Sequence, residues 1–169
     1  MTIEEKSNQL SQAIEHAAVL PTARVGGLVL EPGEVAYADV VCGTARYYAT
    51  YPVVAPEAGY FEVHPAFGRR WVSNRRLNAR RRQEAEAVAQ LQWRDHTTAR
   101  VVLTSVGLRV CPSGNAEWLP FDHALLTGIT NSGEAGGVVL TYDCCPPLLL
   151  MGPAAAPLAD TIKHLMHTQ

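Results

Sequence analysis

The sequence predicts an α+β fold that is mainly β: a strongly bent antiparallel sheet or barrel with a C-terminal helix. In the last third of the chain, short apolar runs alternate with turn residues, which is typical of consecutive strands. A single amphipathic segment then ends the chain at residues 154–166, with Leu158, Ile162, Leu165 and Met166 on one helical face. Strands followed by one terminal helix favour a small curled sheet plugged by that helix. Such a frame more often binds than catalyses.

The chain opens with an N-terminal helix signal within residues 1–20. Thr2 and Glu5 have the spacing of a capping box. In this motif the Thr2 side chain accepts the Glu5 N–H, and the Glu5 side chain accepts the Thr2 N–H. The pattern predicts a helix over residues 3–19 that ends near Pro21. This helix can cover the main fold, contact a partner, or join two copies of the chain into a homo-oligomer.

Apolar runs and turn residues in the next section predict the first strands. Pro32 and Gly33 mark a turn, and Gly43 with Thr44 favours a hairpin between two of the runs. Strands are expected at 35–41, 45–51 and 60–63. Ser73 is expected to cap a second helix over 74–91, which is rich in alanine and arginine.

The strands of the last third follow that second helix. They are predicted at 101–104, 108–110, 118–121, 125–129, 138–142 and 148–151. Turns rich in Gly, Pro, Ser and Asn separate them at 105–107, 112–115 and 131–137. The final helix then begins after Pro153 and tolerates Pro157 in its first turn.

Short motifs in these segments resemble bacterial PH-like (pleckstrin-homology-like) domains. Residues 31–34 look like their "PGE" opening, and residues 103–109 resemble their "LTxxRL" hairpin, with Gly107 in the usual Arg position. Residues 118–121 resemble the following strand, and 149–153 the last strand running into the helix. The resemblance is best over 99–167 and patchy over 28–63.

The resemblance implies a single PH-like domain over residues 28–167 that acts as a binding module. PH-like domains bind phosphoinositides, peptides or other proteins, so it implies no particular ligand. The segment 64–96 departs from a minimal domain because it inserts a helix, and a basic helical insertion is expected at about 68–94. The mixture of segments also leaves a different α+β fold open.

Composition excludes few classes of protein. The chain has 169 residues, 47% of them hydrophobic, and a net charge of −2, which fits one domain with a sizeable core. Residues 1–10 are polar and lack the features of a signal peptide, and no segment predicts a membrane span, so a cytoplasmic protein is expected. The four cysteines, Cys42, Cys111, Cys144 and Cys145, are expected to be reduced thiols.

Arginine is the strongest local anomaly. Seven of the fourteen Lys and Arg residues lie within fourteen positions that hold no acid: Arg69, Arg70, Arg75, Arg76, Arg80, Arg81 and Arg82. The planar guanidinium fork suits phosphate and carboxylate, which predicts an anion- or partner-binding surface. The alternative is a solvated helix face, on which Arg80 pairs with Glu84 and Arg82 with Glu86.

Two tryptophans flank the basic helix, and a third lies in a later apolar run. Trp71 and Trp93 can anchor the helix in the core, or they can insert at a membrane interface or stack on a partner; Trp71 is included in the predicted anion- or partner-binding surface. Trp118, inside an apolar run, is expected in the core.

The sequence contains no catalytic or cofactor motif. His123, Cys111 and Cys144 lack metal-ligand spacing.

The sequence therefore predicts a non-enzymatic binding or adaptor protein that acts through protein–protein contacts. The alternative is a peripheral membrane module that binds anionic lipid, or another phosphate-bearing ligand, through the arginine-rich helix. Nucleic acid is not favoured, because the chain is slightly acidic and lacks the known motifs. An enzyme would need a concave cluster of polar side chains that sequence alone does not reveal.

Overall fold

The computed structural model describes residues 20–133 and 136–168. The helix predicted at 3–19 lies outside these ranges. The described residues divide into two compact units. The sheet unit comprises residues 20–47 and those from 93 onward, and the inserted unit comprises residues 48–92.

Nine strands and two α-helices make up the described chain. In chain order they are β1 (Ala36–Tyr48), β2 (Gly59–His64), β3 (Gly68–Ser73), α1 (Arg75–Ala89), β4 (Gln92–Thr104), β5 (Gly107–Pro112), β6 (Leu119–Asp122), β7 (Leu126–Asn131), β8 (Val138–Tyr142), β9 (Leu148–Met151) and α2 (Ala155–Thr168). A short 3₁₀ turn, His123–Leu125, links β6 to β7.

The predicted mainly β fold with a bent antiparallel sheet and a C-terminal helix is confirmed. Seven strands form one sheet in the order β6-β5-β4-β1-β9-β8-β7, and β2 pairs with β3 in a separate two-stranded sheet. Within the described residues the large sheet does not close into a barrel. The predicted strands of the last third are all present, and β4 is longer than its apolar run because it starts at Gln92.

The core of the sheet unit lies between the large sheet and α2. Leu158 and Ile162 are fully buried on the inner face of α2, one helical turn apart, and join a cluster that includes Leu103, Leu108 and Leu150. The terminal helix therefore plugs the core through Leu158 and Ile162, as its periodicity predicts. Met166, which is predicted on the same face, is 43% exposed because it lies in the last turn beyond the sheet-facing cluster.

The hairpin predicted at Gly43 and Thr44 is wrong. β1 runs without interruption from Ala36 to Tyr48, and these two residues pair with Met151 and Leu150 of β9. Gly43 leaves room for the Met151 side chain, because a Cβ there would lie 3.3 Å from two of its carbon atoms. The glycine thus permits close packing across the sheet and makes no turn.

Trp118 does not lie in the core, contrary to the prediction. It precedes β6, is partly exposed, and donates its indole N–H to the Gly27 carbonyl at 2.9 Å. The guanidinium of Arg100 lies 5.4 Å from the centre of its ring. Trp118 therefore holds the segment before β1 through its polar edge.

In the inserted unit, α1 begins one residue later than its predicted cap implies. Asn74 is the N-cap, and its side chain accepts the Leu77 N–H at 3.1 Å. Ser73 instead donates its hydroxyl to Glu57 at 2.5 Å. Both residue types cap helices well, so composition alone does not choose between neighbours.

Candidate anion-binding surface

The structure distributes the seven predicted arginines over two elements of the inserted unit. Arg69 and Arg70 lie on β3, and the other five lie on α1. Arg81 is partly buried, and the other six are exposed. Seven arginines against four glutamates give residues 48–92 a net charge of +3, whereas the rest of the sequence carries −5. The positive charge of the protein is therefore concentrated in the inserted unit.

Two arginines lie where the helix dipole opposes them. Arg75 and Arg76 are the first two residues of α1, and its first turn, all of which the structure describes, holds no acidic residue. A cation at this end of a helix is unfavourable by ~0.3–1 kcal/mol, whereas an anion is stabilised by a similar amount. The helix start is consequently suited to an external anion.

Four of the arginines have partners within the inserted unit. Arg80 pairs with Glu84 at 2.7 Å, as predicted, and Arg70 pairs with Glu62 at 3.0 Å. Arg81 donates to the Pro56 carbonyl at 3.3 Å. The Arg69 guanidinium stacks 3.9 Å from the centre of the Phe61 ring.

Arg75, Arg76 and Arg82 make no ion pair or side-chain hydrogen bond with residues 20–133 or 136–168. The pair predicted between Arg82 and Glu86 is not among the ion pairs formed in these ranges. Of the two pairs predicted on a solvated helix face, only that of Arg80 with Glu84 forms among the described residues. The exposure of Arg75, Arg76 and Arg82 fits a solvated face as well as an anion-binding surface. Three guanidinium groups remain available to an outside ligand.

Trp71 joins an apolar face of the β2–β3 hairpin. Phe61 is paired in register with Trp71, and Val63 with Arg69, so these four side chains share one face. The Phe61 and Trp71 rings meet edge to face with their centres 5.0 Å apart. Trp71 is 47% exposed, so the interpretation that it anchors the helix in a core is wrong.

Trp93, the other tryptophan beside the helix, belongs to the sheet unit. It is partly buried, and its ring lies 5.0 Å from that of Tyr47. Trp93 therefore contributes to packing at the start of β4 and is not part of the arginine surface.

A loop, which Pro52, Pro56 and Gly59 predict, lies beside the arginines. Residues 49–58 form no regular element, so the strand predicted at 45–51 ends earlier, at Tyr48, and Tyr51 and Val53 are exposed. Pro52 and Pro56 supply the signal, because neither can donate a hydrogen bond to a ladder. This segment lies against α1, where Val88 is also exposed.

Candidate metal ligands do not cluster in the part of the chain that the structure describes. Among the residues that the structure describes, no three His, Cys, Asp or Glu side chains could hold a metal ion. Cys42 is buried on β1, where burial raises the pKa of its thiol to about 11. His123 is buried too, with Nε2 3.1 Å from the Thr104 carbonyl oxygen. These residues form parts of the scaffold.

Comparison with known proteins adds no assignment to this geometry. No protein-family model matches the sequence, and a search of curated proteins finds no match to it. Within the described ranges, neither helix is long and apolar enough to cross a bilayer. A functional proposal therefore starts from the arginines and exposed apolar side chains of the inserted unit.

Proposed function

We propose that the protein is a non-enzymatic, cytoplasmic binding protein of the PH-like type that contacts a negatively charged partner protein through its inserted unit. The observation that carries this proposal is the state of Arg75, Arg76 and Arg82. All three are exposed and have no partner in the described chain, and two of them stand at a helix N-terminus.

Energetics supports the assignment of these arginines to binding. Arg76 lies one turn from Arg80, a like-charge spacing that is unfavourable on a helix, and Arg75 and Arg76 also oppose the dipole. Carboxylates of a partner relieve both effects and accept two parallel hydrogen bonds from each guanidinium. The excess of negative charge lies outside the inserted unit, so the charge contrast can also orient an acidic partner as it approaches.

Charge reversal tests the proposal. The triple variant Arg75→Glu, Arg76→Glu, Arg82→Glu should lose the proteins that the wild type retains in affinity purification from its native cell. Arg24→Glu, at an exposed arginine of the sheet unit, serves as the matched control and should retain them. Unchanged retention by the triple variant would remove the arginine surface from the site.

A second candidate function is binding to an anionic membrane surface. It is favoured by the β2–β3 hairpin, where Phe61, Val63 and Trp71 share an exposed face with Arg69, and Phe67 stands exposed in the connecting turn. Aromatic side chains beside arginines suit the boundary between headgroups and acyl chains.

Vesicle sedimentation separates the two candidates. Membrane binding requires co-sedimentation with vesicles containing roughly 30% phosphatidylserine, a fall in binding as salt is added, and loss of binding in Phe67→Ser. Val29→Ser, at an exposed valine of the sheet unit, is the matched control. Absence of co-sedimentation at low salt would dismiss this candidate.

A further inference from the structure

An extended strap runs along α1 in the inserted unit. The strap, residues 49–58, is held near one end by the Thr50 N–H, which donates to the Ala89 carbonyl at 2.9 Å. At the other end the Asn78 amide accepts the Ala58 N–H at 2.8 Å and donates to the Ala58 carbonyl at 3.0 Å. The strap therefore lies antiparallel to the helix and is fixed at both ends.

A groove follows the line between the strap and α1. It consists of two concavities, of about 340 Å³ and about 130 Å³, which share Ala55 and Arg81 in their walls. Apolar side chains dominate the walls of the larger concavity: Tyr51, Val53, Ala85 and Val88. The smaller concavity has a mixed lining, in which Asn78, Glu57, Arg81 and Arg82 stand beside Val54.

No residue of 20–133 or 136–168 covers the apolar end of this groove. Tyr51 is 93% exposed, Val53 87% and Val88 63%. Isolated exposed apolar residues are ordinary, but three that converge on one concavity are typical of a contact site. Exposed backbone of the strap beside them offers hydrogen-bonding groups outside any sheet.

The charges that face the groove favour an acidic ligand. Arg81 stands at the junction of the two concavities, and Arg82 lines the smaller one. Two glutamates also line the walls. Glu84 is paired with Arg80, whereas Glu57, which accepts the Ser73 hydroxyl, keeps its charge, so Arg81 and Arg82 leave one positive charge in excess. The net positive field therefore remains available to a carboxylate.

We infer that this groove binds an extended acidic–apolar peptide segment of the partner protein. A large apolar side chain fills the concavity between Tyr51, Val53 and Val88, and an Asp or Glu nearby in the peptide pairs with Arg81 and Arg82. Residues 78–89 of α1 rise ~17 Å, which about five residues of extended peptide match. The inference rests on the proposed function and specifies the partner chemistry recognised at that surface.

A random peptide library displayed on phage, with inserts of roughly twelve residues, provides the probe. Selection on the full chain should enrich peptides that hold Leu, Ile, Phe or Trp within about three residues of Asp or Glu. The best peptide, labelled with fluorescein, then gives a Kd by anisotropy. Val88→Ser and Arg81→Gln should each weaken binding about tenfold. Val29→Ser and Arg24→Gln, outside the inserted unit, should leave it unchanged.

Each other outcome overturns the inference. Without enrichment of the acidic–apolar pattern, or with a Kd that Val88→Ser leaves unchanged, the groove is not the site. Competition by a synthetic peptide of residues 1–15, which contains Ile3-Glu4-Glu5, would make the occupant this chain's own N-terminal segment.

Retention of the cellular partner by two variants distinguishes the inference from the proposed function. If Arg75→Glu with Arg76→Glu abolishes retention of the cellular partner while Val88→Ser does not, the arginine surface stands and the groove proposal fails. If neither variant affects retention, both proposals fail. Circular dichroism confirms that each variant is folded; the exposed position of Val88 makes this expected.

Discussion

Glu34 and Arg109 form a buried ion pair in the sheet unit, with Glu34 Oε1 3.0 Å from Arg109 Nη2. The Glu34 side chain is 1% exposed, and the Thr104 hydroxyl donates to the same oxygen at 2.6 Å. Arg109 also pairs with Asp122 at 2.9 Å. This network ties the turn before β1 to β5 and β6 at one end of the sheet.

Removal of the buried carboxylate should strongly destabilise the protein. Glu34→Ala is expected to lower the free energy of unfolding by about 2–3 kcal/mol, because Arg109 loses its buried partner. The loss is held to that range because Asp122 still pairs with the guanidinium. Urea denaturation of the variant beside the wild type measures it.

An exposed ion pair on α2 provides the matched control for that measurement. Asp160 and Lys163 lie 3.1 Å apart with both side chains largely in water. Asp160→Ala should cost at most about 0.5 kcal/mol. Equal losses for the two variants would show that burial of Glu34 does not govern the strength of its pair.

Gly107 is expected to be intolerant of any side chain. A Cβ at this position would collide with the Phe121 carbonyl oxygen and lie 2.7 Å from the Asp122 Cα, both of them backbone atoms of β6. Because Gly107 pairs with Asp122, β6 cannot retreat without losing the ladder. Gly107→Ala should lower the free energy of unfolding by about 1–3 kcal/mol.

Thermal unfolding checks the Gly107 prediction against a glycine in open space. An added Cβ at Gly26 meets no atom within 4 Å, so Gly26→Ala should change stability by less than about 0.5 kcal/mol. If Gly107→Ala proves as stable as Gly26→Ala, the close approach of β5 and β6 is not what requires glycine.

His123 should make the fold sensitive to mild acid. Burial is the largest effect that holds the pKa of His123 below its ordinary 6.5, and the charge of Arg109 lowers it further. The Thr104 carbonyl and Asp122 act in the opposite direction. The unfolded chain therefore binds a proton more readily, so this stability is complete above pH 6.5 and is lost as the pH falls through the folded pKa. The free energy of unfolding of the wild type should fall between about pH 7.5 and about pH 5.5, and that fall should be smaller in His123→Gln. Denaturation at the two pH values measures both.

Glu34 should add a second loss of stability at lower pH. Burial raises the pKa of its carboxyl, but the Thr104 hydroxyl, the Glu31 N–H and Arg109 together hold it below the ordinary 4.5. Its stabilisation is therefore present above pH 4.5 and is lost as the pH falls through the folded pKa. If the free energy of unfolding of His123→Gln still falls steeply below pH 4.5, Glu34 accounts for part of that fall. A free energy of unfolding that stays constant there would contradict the assignment to Glu34.

The core and the terminal helix could be predicted from the sequence, because apolar periodicity reports burial directly. Leu158 and Ile162 lie where the 3.6-residue period puts them. The pairing of Glu34 with Arg109 could not be predicted. Both residues occur in the motifs that resemble PH-like domains, but the 74 positions between them carry no signal of contact.

The candidate site could be predicted only in part for a related reason. The arginine cluster can be detected from the composition of the sequence, whereas the availability of a guanidinium depends on its rotamer and its neighbours. Among the described residues Arg80 pairs with Glu84, but Arg82 does not pair with Glu86. The groove depends on a strap without regular structure, which hydrophobic periodicity does not detect. Trp71 was misjudged because a hairpin face can leave an aromatic ring in water.

The central claim is that Arg75 and Arg76 serve binding at some cost to the helix that carries them. The double variant Arg75→Glu, Arg76→Glu puts acid at the helix N-terminus, which should stabilise α1 by ~0.3–1 kcal/mol per site while removing the contact with an acidic partner. The most direct measurement follows thermal unfolding and partner retention on the same preparation. An unchanged or raised midpoint with lost retention is the predicted result; full retention of the partner by the folded variant would contradict the claim.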